Sequence, residues 1–276
     1  MNQSQIILIT GASSGMGKET ALRLIAEGHI VYGAARRVEK MLDLVEAGGH
    51  VLLMDVTDEA QVQAGIDRII AEQGRIDVLV NNAGYGSYGS VEETPIDDAR
   101  RQFDVNLFGL ARLTQLVIPH MRERQSGKII NISSVGGKIY TPLGAWYHAT
   151  KHALEGWSDC LRLELKPFGI DVVIVEPGLI ATEFGEVLVD PMLERSGEGP
   201  YQGLTKLLAQ ATKVTYEKKN AASPPSVIAD TISGAIRASR PRTRYAVGKL
   251  ARPLLFFRNL ISDRMFDRLI MSQVDR

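Results

Sequence analysis

The chain has 276 residues, 45% hydrophobic and 23% charged, and its 32 basic side chains balance 32 acidic ones. Zero net charge argues against broad nucleic-acid or membrane electrostatics, and a single cysteine, Cys160, excludes a disulfide framework or a multi-cysteine zinc site. No basic stretch precedes the first apolar run, and no apolar run approaches the roughly 18 residues of a membrane span, so a cytoplasmic protein without signal peptide or span is expected.

Residues 6–9 are an unbroken apolar run, the mark of a strand buried on both faces. It leads directly into Thr10-Gly11-Ala12-Ser13-Ser14-Gly15-Met16-Gly17, and a helical pattern follows over 18–27. Glycine at 11 permits a tight turn, and at 15 and 17 it lets a pyrophosphate approach the backbone. The helix start offers free N–H groups to the phosphates. A dinucleotide site is expected at 10–17. The next strand, 30–32, continues into Ala34-Ala35-Arg36-Arg37, where NAD binders place an acidic residue. Arginines here can pair with a 2′-phosphate, so NADP(H) is favoured, with NAD(H) as the alternative.

Strands follow at 51–54 and 78–80, with a helix at 58–73 between them. The glycine-rich 84–89 stretch reads as a loop over the site. Thr94-Pro95-Ile96-Asp97 looks like a helix cap opening one long helix over 96–124. A strand at 128–132 precedes Ser134, and a helix at 145–166 carries Tyr147 and Lys151, one turn apart on one face. A lysine cation beside the phenol, with an oxidised nicotinamide, is expected to lower the tyrosine pKa. Ser134 holds the substrate oxygen. Tyr245 and Lys249 repeat the spacing but leave a strand-like segment, and read as structural.

These landmarks resemble the short-chain dehydrogenase/reductases of the single-domain group: the 10–17 turn, Asp55-Val56, Asn81-Asn82-Ala83-Gly84, Asn106, the Ser134/Tyr147/Lys151 set and Pro177-Gly178-x-Ile180-x-Thr182. The tail is loosely similar to bacterial members near the 17-beta-hydroxysteroid dehydrogenase-like branch. The resemblance implies that Asp55 and Val56 contact adenine and that Asn82, Ala83 and Gly84 line the cofactor floor. It further implies that Asn106 holds a water leading to Lys151, while Pro177, Gly178, Ile180 and Thr182 border the nicotinamide. Glu176 has no role in that pattern.

After a strand at 172–175 the pattern weakens. Residues 183–222 hold Pro191, Gly197, Gly199 and Pro200 around one helical stretch, and are expected to form a mobile lid. Ser223-Pro224-Pro225 reads as a further cap and 243–247 as a last strand. From Arg237 onward ten basic residues face three acidic ones, and 248–276 is expected to be a helical tail. Cys160 is expected to be buried, and His148 and His152 carry no metal signal.

The expected fold is thus one Rossmann-type α/β domain over 1–276, a doubly wound parallel sheet of about seven strands in three layers. The expected function is an NADP(H)-dependent oxidoreductase interconverting a carbonyl and an alcohol on a hydrophobic small molecule. Tyr147 is its acid/base, Asn106 completes the set, and Tyr85, Val135, Tyr140, Phe184 and Leu188 form the pocket, with Tyr88 adding to its aromatic side. An NAD-dependent alcohol dehydrogenase and a non-catalytic NADP(H)-sensing protein are the alternatives. A homodimer or homotetramer is expected.

Overall fold

Side chains alternate across the first strand, β1 (Ile6–Thr10): Ile7 and Ile9 face one core, Ile6 and Leu8 another. Both faces are dry because helices cover both, which is why the sequence shows no polar alternation there. The computed structural model describes residues 4–217 and 221–274, apart from the side chains of Phe184, Glu186, Glu217, Gln273 and Val274. Seven parallel strands lie in the order β3-β2-β1-β4-β5-β6-β7. The others are β2 (Ile30–Ala35), β3 (His50–Leu53), β4 (Val78–Asn81), β5 (Gly127–Ile132), β6 (Ile170–Pro177) and β7 (Arg244–Val247).

One layer holds α1 (Gly15–Ala26), the short α2 (Leu42–Glu46) and α9 (Ser226–Arg237), packed through Leu24, Leu44, Ile228 and Ile232. The other holds α3 (Glu59–Gln73), α5 (Leu110–Glu123) and α6 (Ala145–Leu165), packed through Ile66, Leu113, Val117 and Leu161. Each such fully buried side chain contributes about 1.5–3 kcal/mol of transfer free energy. The chain leaves β1 towards β2 in one direction and returns to β4 on its other side. That reversal opens a crevice at the carboxyl ends of β1 and β4, where ligands of such sheets bind.

Several expected elements are corrected. The helix expected over 96–124 is α4 (Ile96–Phe103), a wide π turn at Asp104–Gly109, then α5. Gly109 sits against the Val56 carbonyl, 2.6 Å from where a Cβ would project, so the π turn brings the helix into close contact with the loop after β3. Thr94 does not cap α4; its hydroxyl donates to Ser90 O at 2.6 Å. Ser223 likewise pairs with the backbone of Leu179 rather than capping α9. The stretch after Thr182 is not irregular: α7 (Phe184–Ser196) and α8 (Gln202–Glu217) form a helical hairpin around Leu143, Val189, Met192 and Ala209. Cys160 is exposed, not buried. The chain ends in α10 (Ala251–Leu260) and α11 (Asp263–Val274).

Candidate active site

Thr10 ends β1 and ties it to β4: its hydroxyl accepts from Asn82 N at 3.1 Å and Ala83 N at 3.0 Å. The Asn82 side chain returns the bond, donating to Thr10 O at 3.0 Å and Gly11 O at 3.2 Å. Gly11 takes φ +67°, and a Cβ there would stand 2.9 Å from the Ala83 Cα. Only glycine satisfies both the left-handed backbone and the close approach. Gly15 opens α1 at φ +53°, with the Thr182 methyl 3.2 Å from where its Cβ would be. The Ser14 side chain does not cap α1, so nothing of that residue covers the helix start. Helix-start N–H groups, a positive helix end and glycines where the backbone must come close fit a dinucleotide pyrophosphate.

The two arginines after β2 point differently. Arg37 reaches back over the turn, with Nη2 3.5 Å from Ser13 Oγ and 3.4 Å from Ser14 Oγ. Arg36 is 67% exposed and lies 3.9 Å from the Asp55 carboxylate. Asp55 is partly buried, which pushes its pKa up, but the Thr57 N–H and hydroxyl and the Arg36 charge outweigh that and hold it low. Val56 is buried beside it.

Tyr147 and Lys151 are one turn apart on α6, both more than nine-tenths buried. The Tyr147 hydroxyl is hydrogen-bonded to Ser134, and Ser134 Oγ accepts from Gly136 N at 2.9 Å. Lys151 Nζ donates to Ile132 O at 2.9 Å, at the end of β5. Burial lowers its pKa to about 8 against the opposing pull of Glu155. Tyr147, considered without the cofactor, is governed by its burial. Burial pushes its pKa up to about 12, more than its Ser134 bond brings it down. In the chain alone desolvation wins, so the phenol keeps its proton at neutral pH.

Asn106 occupies the π turn and is fully buried. Its side chain exchanges bonds with the Tyr85 backbone (2.9 and 3.0 Å) and donates to Thr150 Oγ1 at 3.1 Å. The amide is therefore used to hold the loop after β4, which is more than the expected water contact. Below it Asn81 of β4 donates to Thr114 and to Asn131 of β5, and Asn131 to Ser158 of α6, at 2.9–3.0 Å. This buried polar row fixes the register of the two strands that carry the site.

His148 is a residue whose position the sequence did not explain. Nε2 accepts from the Thr141 N–H at 3.1 Å, so Nδ1 carries the proton and donates to Gly136 O at 2.9 Å. Burial, more than any neighbour, lowers its pKa. The neutral ring thus clips the 136–141 loop next to Ser134.

Among the expected pocket residues, Tyr85 and Val135 border the site, and Leu188 is buried on α7. Tyr140 is tied to the last helix: its hydroxyl donates to Asp267 at 2.9 Å and its ring meets Phe266 of α11. The Phe184 side chain lies outside the described residues. Tyr88, expected around the pocket, is joined by Tyr216, which the sequence did not assign. Tyr88 stands 5.9 Å from the Tyr147 ring, and Tyr216 of α8 acts electrostatically on both. Ile180 and Thr182 follow β6 as expected, and Ile180 pairs with Ser223. Pro177 ends β6, and at Gly178 a Cβ would meet the Lys249 carbonyl. Tyr245 sits in β7, its hydroxyl accepting from Arg242 N at 3.1 Å. Among the described residues, no cluster of three or more His, Cys, Asp or Glu is placed to hold a metal.

A family model described as short chain dehydrogenase matches residues 5–192. The chain belongs to the short-chain dehydrogenase/reductase family, oxidoreductases acting on carbonyl and alcohol groups with a nicotinamide cofactor. It is 37% identical over 252 residues to 3-ketodihydrosphingosine reductase of Bacteroides thetaiotaomicron, covering 91% of each chain. It is 32% identical over 281 residues to the NADPH-dependent 3-dehydrocapnine reductase of Ornithobacterium rhinotracheale, covering 98% of this chain and 97% of that one. A crystal structure of a short-chain dehydrogenase from Streptomyces avermitilis superposes with TM-score 0.78 at 36% identity, covering 93% and 92% of the two chains.

Proposed function

We propose that the protein is an NADP(H)-dependent reductase of a ketone carried on an apolar molecule, with Tyr147 as the proton donor. The observation that carries this reading is the buried Tyr147 side chain, hydrogen-bonded to Ser134 one turn from Lys151. The 10–17 turn with Asn82, Ala83 and Gly84 would hold the dinucleotide, and Ile180 and Thr182 its carboxamide end. Arg36 and Arg37 would take the 2′-phosphate. NADPH supplies a hydride to the carbonyl carbon when bound. Ser134 holds the carbonyl oxygen, and Tyr147 passes its proton to that oxygen as negative charge builds there. Lys151, charged below about pH 8, stabilises the tyrosinate left behind. Tyr88 and Tyr216 supply an aromatic wall, which suits an apolar substrate.

The two reductases named above point to ketone substrates of the same kind, and one of them is named for NADPH. The test is NADPH oxidation with 3-ketodihydrosphingosine, 3-dehydrocapnine and a panel of shorter ketones. Turnover is expected on the first two, and Tyr147→Phe should lower kcat by about 100-fold or more while NADPH affinity stays within a few fold. Tyr245→Phe should leave both unchanged. Tight NADPH binding with no turnover on any ketone would replace the reading with that of a binding protein.

A further inference from the structure

The last two helices carry apolar side chains that the fold does not use. On α10, Phe256 (62% exposed), Phe257 (53%) and Leu260 (65%) recur at helical spacing on one stripe. On α11, Met265 and Leu269 repeat at four, both exposed. A short folded helix pair that leaves two phenylalanines in water is unusual for a monomer surface. The helices are nevertheless firmly placed. Phe266 is fully buried against Tyr140, Arg258 stacks over both rings, and Asp267 takes the Tyr140 hydroxyl.

The charge on the same hairpin identifies its occupant. Lys249, Arg252, Arg258, Arg264 and Arg268 face only Asp263 and Asp267 between residues 248 and 274. Both acids are already used, Asp263 by Arg258 and Asp267 by Tyr140. Among the described residues, Arg252, Arg264 and Arg268 form no ion pair. Exposed aromatics flanked by uncompensated arginines are what an anionic lipid surface takes, and a second copy of the same cationic face would be repelled. The hairpin also touches α8 and the 135–137 turn, the elements that carry Tyr216 and follow Ser134. Leu207 and Val214, exposed and seven residues apart on α8, extend the apolar surface towards the substrate side.

We propose that the α10–α11 hairpin docks this protein on an anionic bilayer, its phenylalanine stripe in the headgroup boundary and its arginines among the lipid phosphates. The docked face then adjoins the substrate side of the active site. The proposal stands apart from the substrate reading, because binding to vesicles is measured without turnover.

The experiment is co-sedimentation of the full chain with vesicles of phosphatidylcholine alone or with about a third phosphatidylglycerol. Binding to the anionic vesicles should exceed binding to neutral ones by about tenfold and fall with added salt. Phe256→Ser with Phe257→Ser should lose about tenfold or more of that binding. Arg264→Gln with Arg268→Gln should remove the preference for anionic lipid. Unchanged thermal unfolding keeps either loss from being a folding defect. Sedimentation equilibrium of the same proteins completes the test. Failure to bind anionic vesicles overturns the proposal. So does an oligomer that the phenylalanine variant dissociates, which would give the face to a second copy.

Discussion

At the scale of single residues, cofactor choice rests on two guanidinium groups whose geometry differs. Arg37 already hangs over the glycine turn on the Ser13 and Ser14 hydroxyls, while Arg36 leans towards Asp55 from an exposed position. Both are within two residues of the end of β2, where an acidic side chain would repel a 2′-phosphate. A charge-assisted hydrogen bond contributes about 1.5–3 kcal/mol, so Arg36→Ala and Arg37→Ala should each weaken NADPH by about tenfold or more. NADH should change little, which fluorescence titration of both cofactors will show. Equal losses for NADH would mean that the arginines shape the turn instead. The principal groups of this site were legible because their chemistry is tied to local spacing: glycines at a strand end, and a phenol and an ammonium one turn apart. Tyr216 and the His148 clip were not, because each comes near Tyr147 or its loop through tertiary packing that no sequence interval encodes. Proximity of Lys151 was visible in the sequence and the degree of desolvation was not.

At the scale of elements, the strands were readable because burial on both faces leaves an unbroken apolar run. The segment after Thr182 was misread because Pro191, Gly197 and Gly199 punctuate it like a loop. Pro191 lies inside α7 all the same, and tertiary contacts hold the end of that helix. Arg195 pairs with Asp98 at 2.8 Å and donates to Tyr88 O at 3.1 Å. Ser196 is fully buried, its hydroxyl accepting from Ser90 N at 2.9 Å. A turn held this way is a poor protease substrate, since cleavage needs the local backbone to open. Limited proteolysis should therefore spare residues 196–199 with or without NADPH. Ser196→Val strands the buried Ser90 N–H, at a cost of about 1–3 kcal/mol, and should open that site to cleavage. Rapid cutting of the wild-type chain there, slowed by ligand, would restore a mobile lid. The π turn at 104–109 was equally invisible, because it goes with the approach of Gly109 to the Val56 carbonyl, more than fifty residues away in the chain.

Across the whole molecule, the residue left without a role in the sequence joins three elements behind the active site. Glu176 is the next-to-last residue of β6, 3% exposed, and lies 3.4 Å from Arg244 of β7. Arg244 also holds Glu155 at 3.1 Å and Asp159 at 2.6 Å, both on α6, and Lys138 pairs with Glu155 at 3.2 Å. Arg162 also pairs with Asp159, so three carboxylates share three cations, and Glu155 lies one turn beyond Lys151 on α6. Burial pushes the Glu176 pKa up to about 7, with Glu155 adding to the rise and Arg244 and Lys138 opposing it. The folded chain then keeps this proton to about pH 7, whereas the unfolded chain releases it near the ordinary 4.5. Between those values the native state binds more protons than the unfolded state, so this group makes stability fall as pH rises. Above pH 7 the loss is complete, and a charged Glu176 sits desolvated beside Glu155. Glu176→Gln keeps the shape and removes that charge. It should stabilise the protein by about 1–2 kcal/mol at pH 8, a few degrees of Tm, and have almost no effect at pH 5. Melting curves of both proteins across that range decide the matter. A variant that melts lower at pH 8 would show that the Glu176–Arg244 pair outweighs its desolvation, and that the carboxylate is charged in the folded state throughout.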